Sequence, residues 1–488
     1  MYLGIDIGTS GVKAVIADEA QRIASEASAP LTVSRPHPLW SEQDPESWWQ
    51  ATAQAVKALP ATLRSGVKAI GLSGQMHGAT CLDGNNKVLR PAILWNDGRS
   101  FAQCEQMMAD MPSLTQLTGN LAMPGFTAPK LQWLRSYESE TFAKIRKVLL
   151  PKDYVRLRMS GEHASDMSDS AGTLWMDVAQ RKWSDDALTL TGLSQDHMPT
   201  LYEGSEAAGQ LSAAIAAEWG VPQVPIAAGG GDNAAGAIGS GTIAAGEGFV
   251  SLGTSGVIFT ADNSYRPNPA SAVHTFCHAL PGLWHQMSVM LSAASAIDFA
   301  ARITGFNSPA DLFTAAQTAD IVSNASTASG GAVFLPYLSG ERTPHNNPKA
   351  SGAFFGLTHA DTPVTLAQAA LEGVAFGLAD GLDALRQAGA APTALSVIGG
   401  GARSLYWGKI LASCFNLPLH YRDGAALGPA FGAARLARLS VNGETPADIC
   451  IPPPIKTRIE PIAQLSEHYA ARREVFKSLY NATQELSS

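Results

Sequence analysis

Cysteine is scarce and unpatterned: Cys81, Cys104, Cys277, Cys414 and Cys450 are odd in number and include no CxxC. No disulfide framework is expected, and the thiols suit a reduced, cytoplasmic chain. Charged residues are only 16% of the total, and the net charge of −8 leaves no basic footprint for nucleic acid. Long apolar runs are missing. The longest stretch without Asp, Glu, Lys or Arg, residues 267–297, contains Pro281, Gly282 and three histidines, so no membrane partner is expected. The opening MYLGID has no basic segment ahead of Asp6, which argues against a secretory signal. Familiar catalytic fingerprints are absent too: GxxxxGK[ST], HRD with DFG, HExxH, GxGxxG and GxSxG do not occur.

What the chain does have is a repeated turn. Gly-Thr-Ser-Gly-Val stands at residues 8–12 and again at 253–257, half of a 488-residue chain apart, each time after an apolar strand. Such a repeat predicts two related domains. Glycine permits close backbone approach, and a hydroxyl beside free N–H groups forms a nest for phosphate oxygens, so two facing copies suit a polyphosphate. Just before the second copy lies Gly229-Gly230-Gly231-Asp232-Asn233.

The remaining elements read as α/β. Asp44-Pro45 predicts an N-cap and first helical residue, with Trp48 and Trp49 on the core face. An apolar strand over Val67–Ser73 runs into Gly74-Gln75-Met76-His77-Gly78, the end of a strand where α/β sheets bind ligands. Residues 100–150 read mainly as helix, and 148–177 as irregular. The polar run Ser165–Asp169 lines a cleft or is a solvated loop, the cleft being preferred. His274 and His278 would stand about 13 Å apart along a strand, too far to share one zinc ion. Thr362-Pro363 predicts the start of a long helix to about Gln387. A strand over Ala394–Ile398 then leads into Gly399-Gly400-Gly401-Ala402 and a helix from about Ser404. Gly424–Ala437 is rich in small residues and reads as a close-packing helix after Pro429, with the domain boundary between residues 243 and 244.

The two Gly-Thr turns, GGGDN and GGGA resemble the nucleotide site of the FGGY carbohydrate kinases over essentially the whole chain. Two stretches are similar to family signatures, Gly125–Leu134 and Gly352–Glu372; in the second, Thr365 replaces the usual acid, amide or histidine. The resemblance implies two ribonuclease-H-like domains, 1–243 and 244–488, around a deep cleft, as in the actin, sugar kinase and Hsp70 superfamily. It implies ATP and Mg2+ as cofactors and a small-molecule sugar as partner, with homodimerisation left open. Carried over, Asp232 is the catalytic base and Asp6 the carboxylate that places Mg2+. Gly8, Thr9, Ser10 and Lys13 form the first phosphate loop, Gly253 and Thr254 the second, and Gly400, Gly401 and Ala402 the adenosine turn. Met76, His77, Asp232 and Asn233 contact the sugar. SEQDPESWW, GQMHG and SGERTPHNNP, together with Met76-His77 where glycerol kinases place Arg-Glu, imply a ketose, D-xylulose first. Another ketose or gluconate is the alternative, and a nucleotide-switched sensor or filament protein the non-enzymatic one.

Overall fold

A computed structural model describes residues 1–318, 331–423 and 428–484. Two mixed sheets of seven strands repeat one plan. In the first, Tyr2–Ile7, Gly11–Ala17 and Ile23–Pro30 form an antiparallel meander, and Ala69–Gly74 and Pro225–Ala227 continue parallel on the other side of Tyr2–Ile7. In the second, Gly248–Leu252, Gly256–Asp262 and Trp284–Met290 repeat the meander, and Leu395–Ile398 and Leu419–Arg422 continue parallel. Among the described residues no helix is long and apolar enough to cross a membrane.

The duplicated hairpins differ by one residue. Ile7 pairs with Val12, but Leu252 pairs with Gly256, so identical Gly-Thr-Ser-Gly turns close with different registers.

Helix boundaries follow their capping residues. Asp44 accepts from Glu46 N at the head of helix Pro45–Ala58, and Trp48 and Trp49 are buried beneath it. At the head of helix Pro363–Gln387, Thr362 and Thr365 form a reciprocal capping box. Thr365 thus completes the box, its side chain accepting from the N-cap N–H at 2.8 Å.

The lobes meet through glycine and alanine. Helix Pro429–Asn442, which follows the last parallel strand of the second sheet, packs on the first sheet and on helix Asp232–Ser240. A Cβ on Gly4 would stand 1.9 Å from Ala430 O, on Gly71 1.9 Å from Ala433 O, and on Gly432 1.8 Å from Ala235 O. No side chain fits at these three positions. The predicted small-residue helix is therefore the interlobe joint, while residues 424–427 of that stretch lie outside the described residues.

Two expectations are corrected. Residues 148–177 contain a ten-residue helix, Pro151–Ser160, whose periodicity is hidden because its charged residues Lys152, Asp153 and Arg156 are buried. The run Ser165–Asp169 neither lines a cleft nor faces solvent: Ser165, Asp166, Ser168 and Asp169 are buried against Lys152, whose Nζ lies 2.8 Å from Asp166 and 3.1 Å from Asp169.

Candidate active site

Asp6 and Asp232 come within electrostatic reach of each other from different elements. Asp6 is the penultimate residue of strand Tyr2–Ile7, and Asp232 opens helix Asp232–Ser240 after the short strand Gly230–Gly231. Asp232 Oδ1 accepts from Asn233 N at 2.7 Å and Asn233 Nδ2 at 2.9 Å, and no described residue donates to Oδ2. Burial raises the Asp232 carboxyl to about 6, against the pull of those two bonds. Burial and then the Asp232 charge raise Asp6 to about 7, opposed by Ser73 and Lys13. Asp6 Oδ1 is buried and takes no hydrogen bond. Beneath Asp232, Gly231 N donates to Ser168 Oγ at 3.1 Å, and Ser168 Oγ donates to Asp166, which ties this strand end to the Lys152 cluster.

Both Gly-Thr turns present free amides. The N–H groups of Thr9 and Ser10, and of Thr254 and Ser255, donate to no acceptor among the described residues. Thr254 O accepts from Ala293 N at 2.9 Å and Ser295 Oγ at 2.9 Å, which holds the second turn against helix Ala294–Ile303. The Thr9 hydroxyl is already engaged: it donates to Gln75 Oε1 and accepts from Trp95 Nε1, each at 3.0 Å. Gln75 and Trp95 escaped the sequence reading because only folding brings them to residue 9. Lys13 is ion-paired with Glu26 at 2.9 Å on the neighbouring strand and reaches the site only through its charge.

The Gly400-Gly401-Ala402 turn forms a short 3-10 segment, Gly400–Arg403. Gly399 precedes it with φ +88°, and a Cβ there would lie 2.8 Å from Leu252 O. The left-handed glycine thus seats this turn on the strand that feeds the second Gly-Thr turn. A cavity of about 350 Å3 joins Asp232 and Asn233 to Ser251, Ile398 and Gly399.

Met76 packs against Gly231, the residue before Asp232, and His77 follows it against Gly172. Cβ atoms built on Gly231 and Gly172 would stand 2.9 Å from Met76 Cγ and 2.5 Å from His77 Cε1, so both glycines leave room for these side chains. His77 has φ +70°, and its carbonyl is clamped by Lys130 Nζ at 2.8 Å and Thr127 Oγ1 at 3.2 Å. Lys130 also donates to Gly125 O at 2.8 Å, so the Gly125–Leu134 signature secures the histidine loop. His77 Nδ1 lies 2.6 Å from Gly172 O; a carbonyl only accepts, so Nδ1 carries the proton and Nε2 offers a lone pair. Burial, then the Lys130 charge, lowers His77 to about 3 and keeps it neutral.

Duplicated sheets joined by a glycine-packed interlobe helix, with a Gly-Thr turn on each, define the two-lobed α/β fold of the actin, Hsp70 and sugar kinase superfamily. The model of the FGGY carbohydrate kinase N-terminal domain matches residues 1–239, and that of the C-terminal domain residues 248–441. The chain belongs to the FGGY family of carbohydrate kinases and is an enzyme. It is 55% identical to the xylulose kinase of Escherichia coli K12, with 98% of each chain covered, and 53% identical over the full length to that of Klebsiella pneumoniae. A crystal structure of a xyloylose kinase from Brucella ovis superposes with a TM-score of 0.94 at 50% identity, covering 99% of each chain.

Proposed function

We propose that the chain transfers the γ-phosphoryl group of ATP to the primary hydroxyl of D-xylulose, giving D-xylulose 5-phosphate and ADP. The observation that carries this reading is the full-length identity to two xylulose kinases. Asp232 Oδ2 takes the proton of the C5 hydroxyl, whose oxygen bonds to the γ-phosphorus as the bridge to the β-phosphate breaks. The raised carboxyl supports the role, since a base titrating near 6 is ionised at neutral pH yet more basic than an exposed aspartate.

The free amides of Thr9, Ser10 and Thr254, with Gly8 and Gly253 giving backbone access, cradle the phosphates. Gly400, Gly401 and Ala402 take the adenosine. Met76 and Asn233 line the sugar, and His77 accepts from one of its hydroxyls through Nε2. Lys13 contributes its charge. Mg2+ fits here: Asp6 Oδ1 is buried without a partner, and like charges at Asp6 and Asp232 favour a cation between protein and phosphates. Among the described residues no group of three or more acidic, histidine or cysteine side chains is placed to hold a metal ion, so an ion here would be held by one carboxylate, water and substrate oxygens. When bound, it would neutralise charge on the β- and γ-phosphates.

We assign residues 1–243 to the first lobe, 244–488 to the second, and the enzyme to the cytoplasm, where five free buried thiols persist. The test is ADP release with ATP and D-xylulose, L-xylulose, D-ribulose, L-ribulose, D-fructose, glycerol or gluconate. The highest kcat/KM is expected for D-xylulose, and a better gluconate or second ketose overturns that choice of sugar.

A further inference from the structure

One cation near the sugar loop forms no close ion pair among the described residues, though it feels the charge of Glu341. Arg342 comes from the second lobe, in the loop after strand Val333–Leu335, and is half-buried. Its charge helps to hold His77 and His274 neutral, so it lies within electrostatic reach of both rings. No carboxylate among the described residues pairs with it, although Glu341 adjoins it in sequence; Glu341 Oε1 instead accepts from Leu291 N at 3.0 Å and Arg342 N at 2.7 Å.

The guanidinium is nevertheless held in place. Asn120 Nδ2 donates to Thr118 O at 2.8 Å and Thr275 O at 2.9 Å, which turns Asn120 Oδ1 toward His274 Nδ1 at 3.0 Å. An oxygen acceptor there puts the His274 proton on Nδ1 and leaves Nε2 as acceptor, and Arg342 Nη1 donates to it at 3.2 Å. The His274 ring stacks on Phe276 at 5.7 Å and meets Phe126 edge-on at 5.5 Å. Phe126 in turn meets His77 at 4.7 Å, so Arg342 and His77 flank one aromatic wall, one from each lobe. The guanidinium uses one donor on His274, and its other N–H groups have no partner among the described residues.

The chemistry of the substrate says what those donors want. This step rests on the reading of the substrate as a 2-ketopentose. A 2-ketopentose that closes to a furanose uses its C5 oxygen, so the molecule with a free C5 hydroxyl is the open chain with a bare C2 carbonyl. His77 Nε2 is an acceptor and serves a hydroxyl. A carbonyl needs a donor, and a guanidinium can only donate. We propose that Arg342 donates to the C2 carbonyl of the open-chain ketose and so determines its selection over carbonyl-free polyols, with His274 and Asn120 as positioning residues.

The experiment compares wild type with Arg342→Gln and Arg342→Lys, each checked for an unchanged melting temperature. Acceptors are D-xylulose and the two alcohols made by reducing its C2, xylitol and D-arabinitol, used as substrates or as competitive inhibitors. For Arg342→Gln, kcat/KM on D-xylulose should fall about 10- to 100-fold through loss of a charge-assisted bond, while KM or Ki for the alcohols and KM for ATP move less than about twofold. Arg342→Lys should recover only part of the loss, and Asn120→Ala should raise KM for D-xylulose while leaving the alcohols unchanged. Equal losses on ketose and alcohols, a change confined to ATP, or unchanged ketose kinetics overturns the assignment. A wild type that phosphorylates no 2-ketose overturns the substrate reading itself.

Discussion

Asp6 and Asp232 share one electrostatic field: after burial, the Asp232 charge is the largest cause of the rise of the Asp6 carboxyl to about 7. Asp232, helped by two bonds from Asn233, titrates first at about 6, and Asp6 then ionises against a charged neighbour. A protein keeps two carboxylates in this relation at a cost in stability, and the cost predicts how the pair behaves when it is altered.

Neutralising Asp6 should stabilise the apoenzyme. Its folded pKa lies above the ordinary aspartate value of 3.8, so the folded state holds the proton more tightly than the unfolded one. That contribution is present below about 4 and is lost as pH rises through about 7. Asp6→Asn should therefore raise the melting temperature at pH 8 and much less at pH 5, while abolishing most kinase activity. Thermal scans of apoenzyme at both pH values check this.

His77→Asn should separate binding from chemistry. Asparagine tolerates the left-handed backbone of residue 77 but cannot place an acceptor where Nε2 stands. A lost neutral hydrogen bond of about 0.5–1.5 kcal/mol raises KM for the sugar roughly 2- to 10-fold with kcat nearly unchanged. Because burial keeps His77 neutral, with a pKa of about 3, wild-type KM should show no histidine titration between pH 5 and 8. Initial-rate kinetics across that range read both.

Gly432→Ala should loosen the joint between lobes. The new Cβ would meet Ala235 O at 1.8 Å, and both atoms sit on helix backbones with no side chain to yield. Overpacking of this kind costs about 1–3 kcal/mol. The melting temperature should fall by several degrees, while the same substitution at Gly443, where a Cβ meets nothing within 4 Å, should cost only the strain of φ +65°.

How far the residues disclosed this in advance depended on how local each feature is. The duplicated sheets were legible because Gly-Thr-Ser-Gly-Val survives in both copies, and the Asp44, Thr362 and Ser404 caps marked helix starts that the fold has. The register difference between the hairpins was not legible, since identical turns close differently once their neighbours pack. Helix Pro151–Ser160 was lost because Lys152, Asp153 and Arg156 neutralise one another in the interior and erase its hydropathy pattern. Asp232, Met76 and His77 were named from motif and resemblance. Gln75, Trp95, Ser168 and Arg342 act through partners distant in sequence, which a linear reading does not join.

The most direct test of Asp232 as the proton acceptor is kcat/KM for D-xylulose against pH, measured for wild type and Asp232→Asn. Wild-type kcat/KM should fall as pH drops through about 6, because only the ionised carboxylate takes the proton. Asp232→Asn should lose about 10²- to 10⁴-fold in kcat at every pH and lose that inflection, with the Kd of an ATP analogue little changed. A variant within about tenfold of wild type, or one that keeps the inflection near 6, would contradict the assignment of Asp232 as the base.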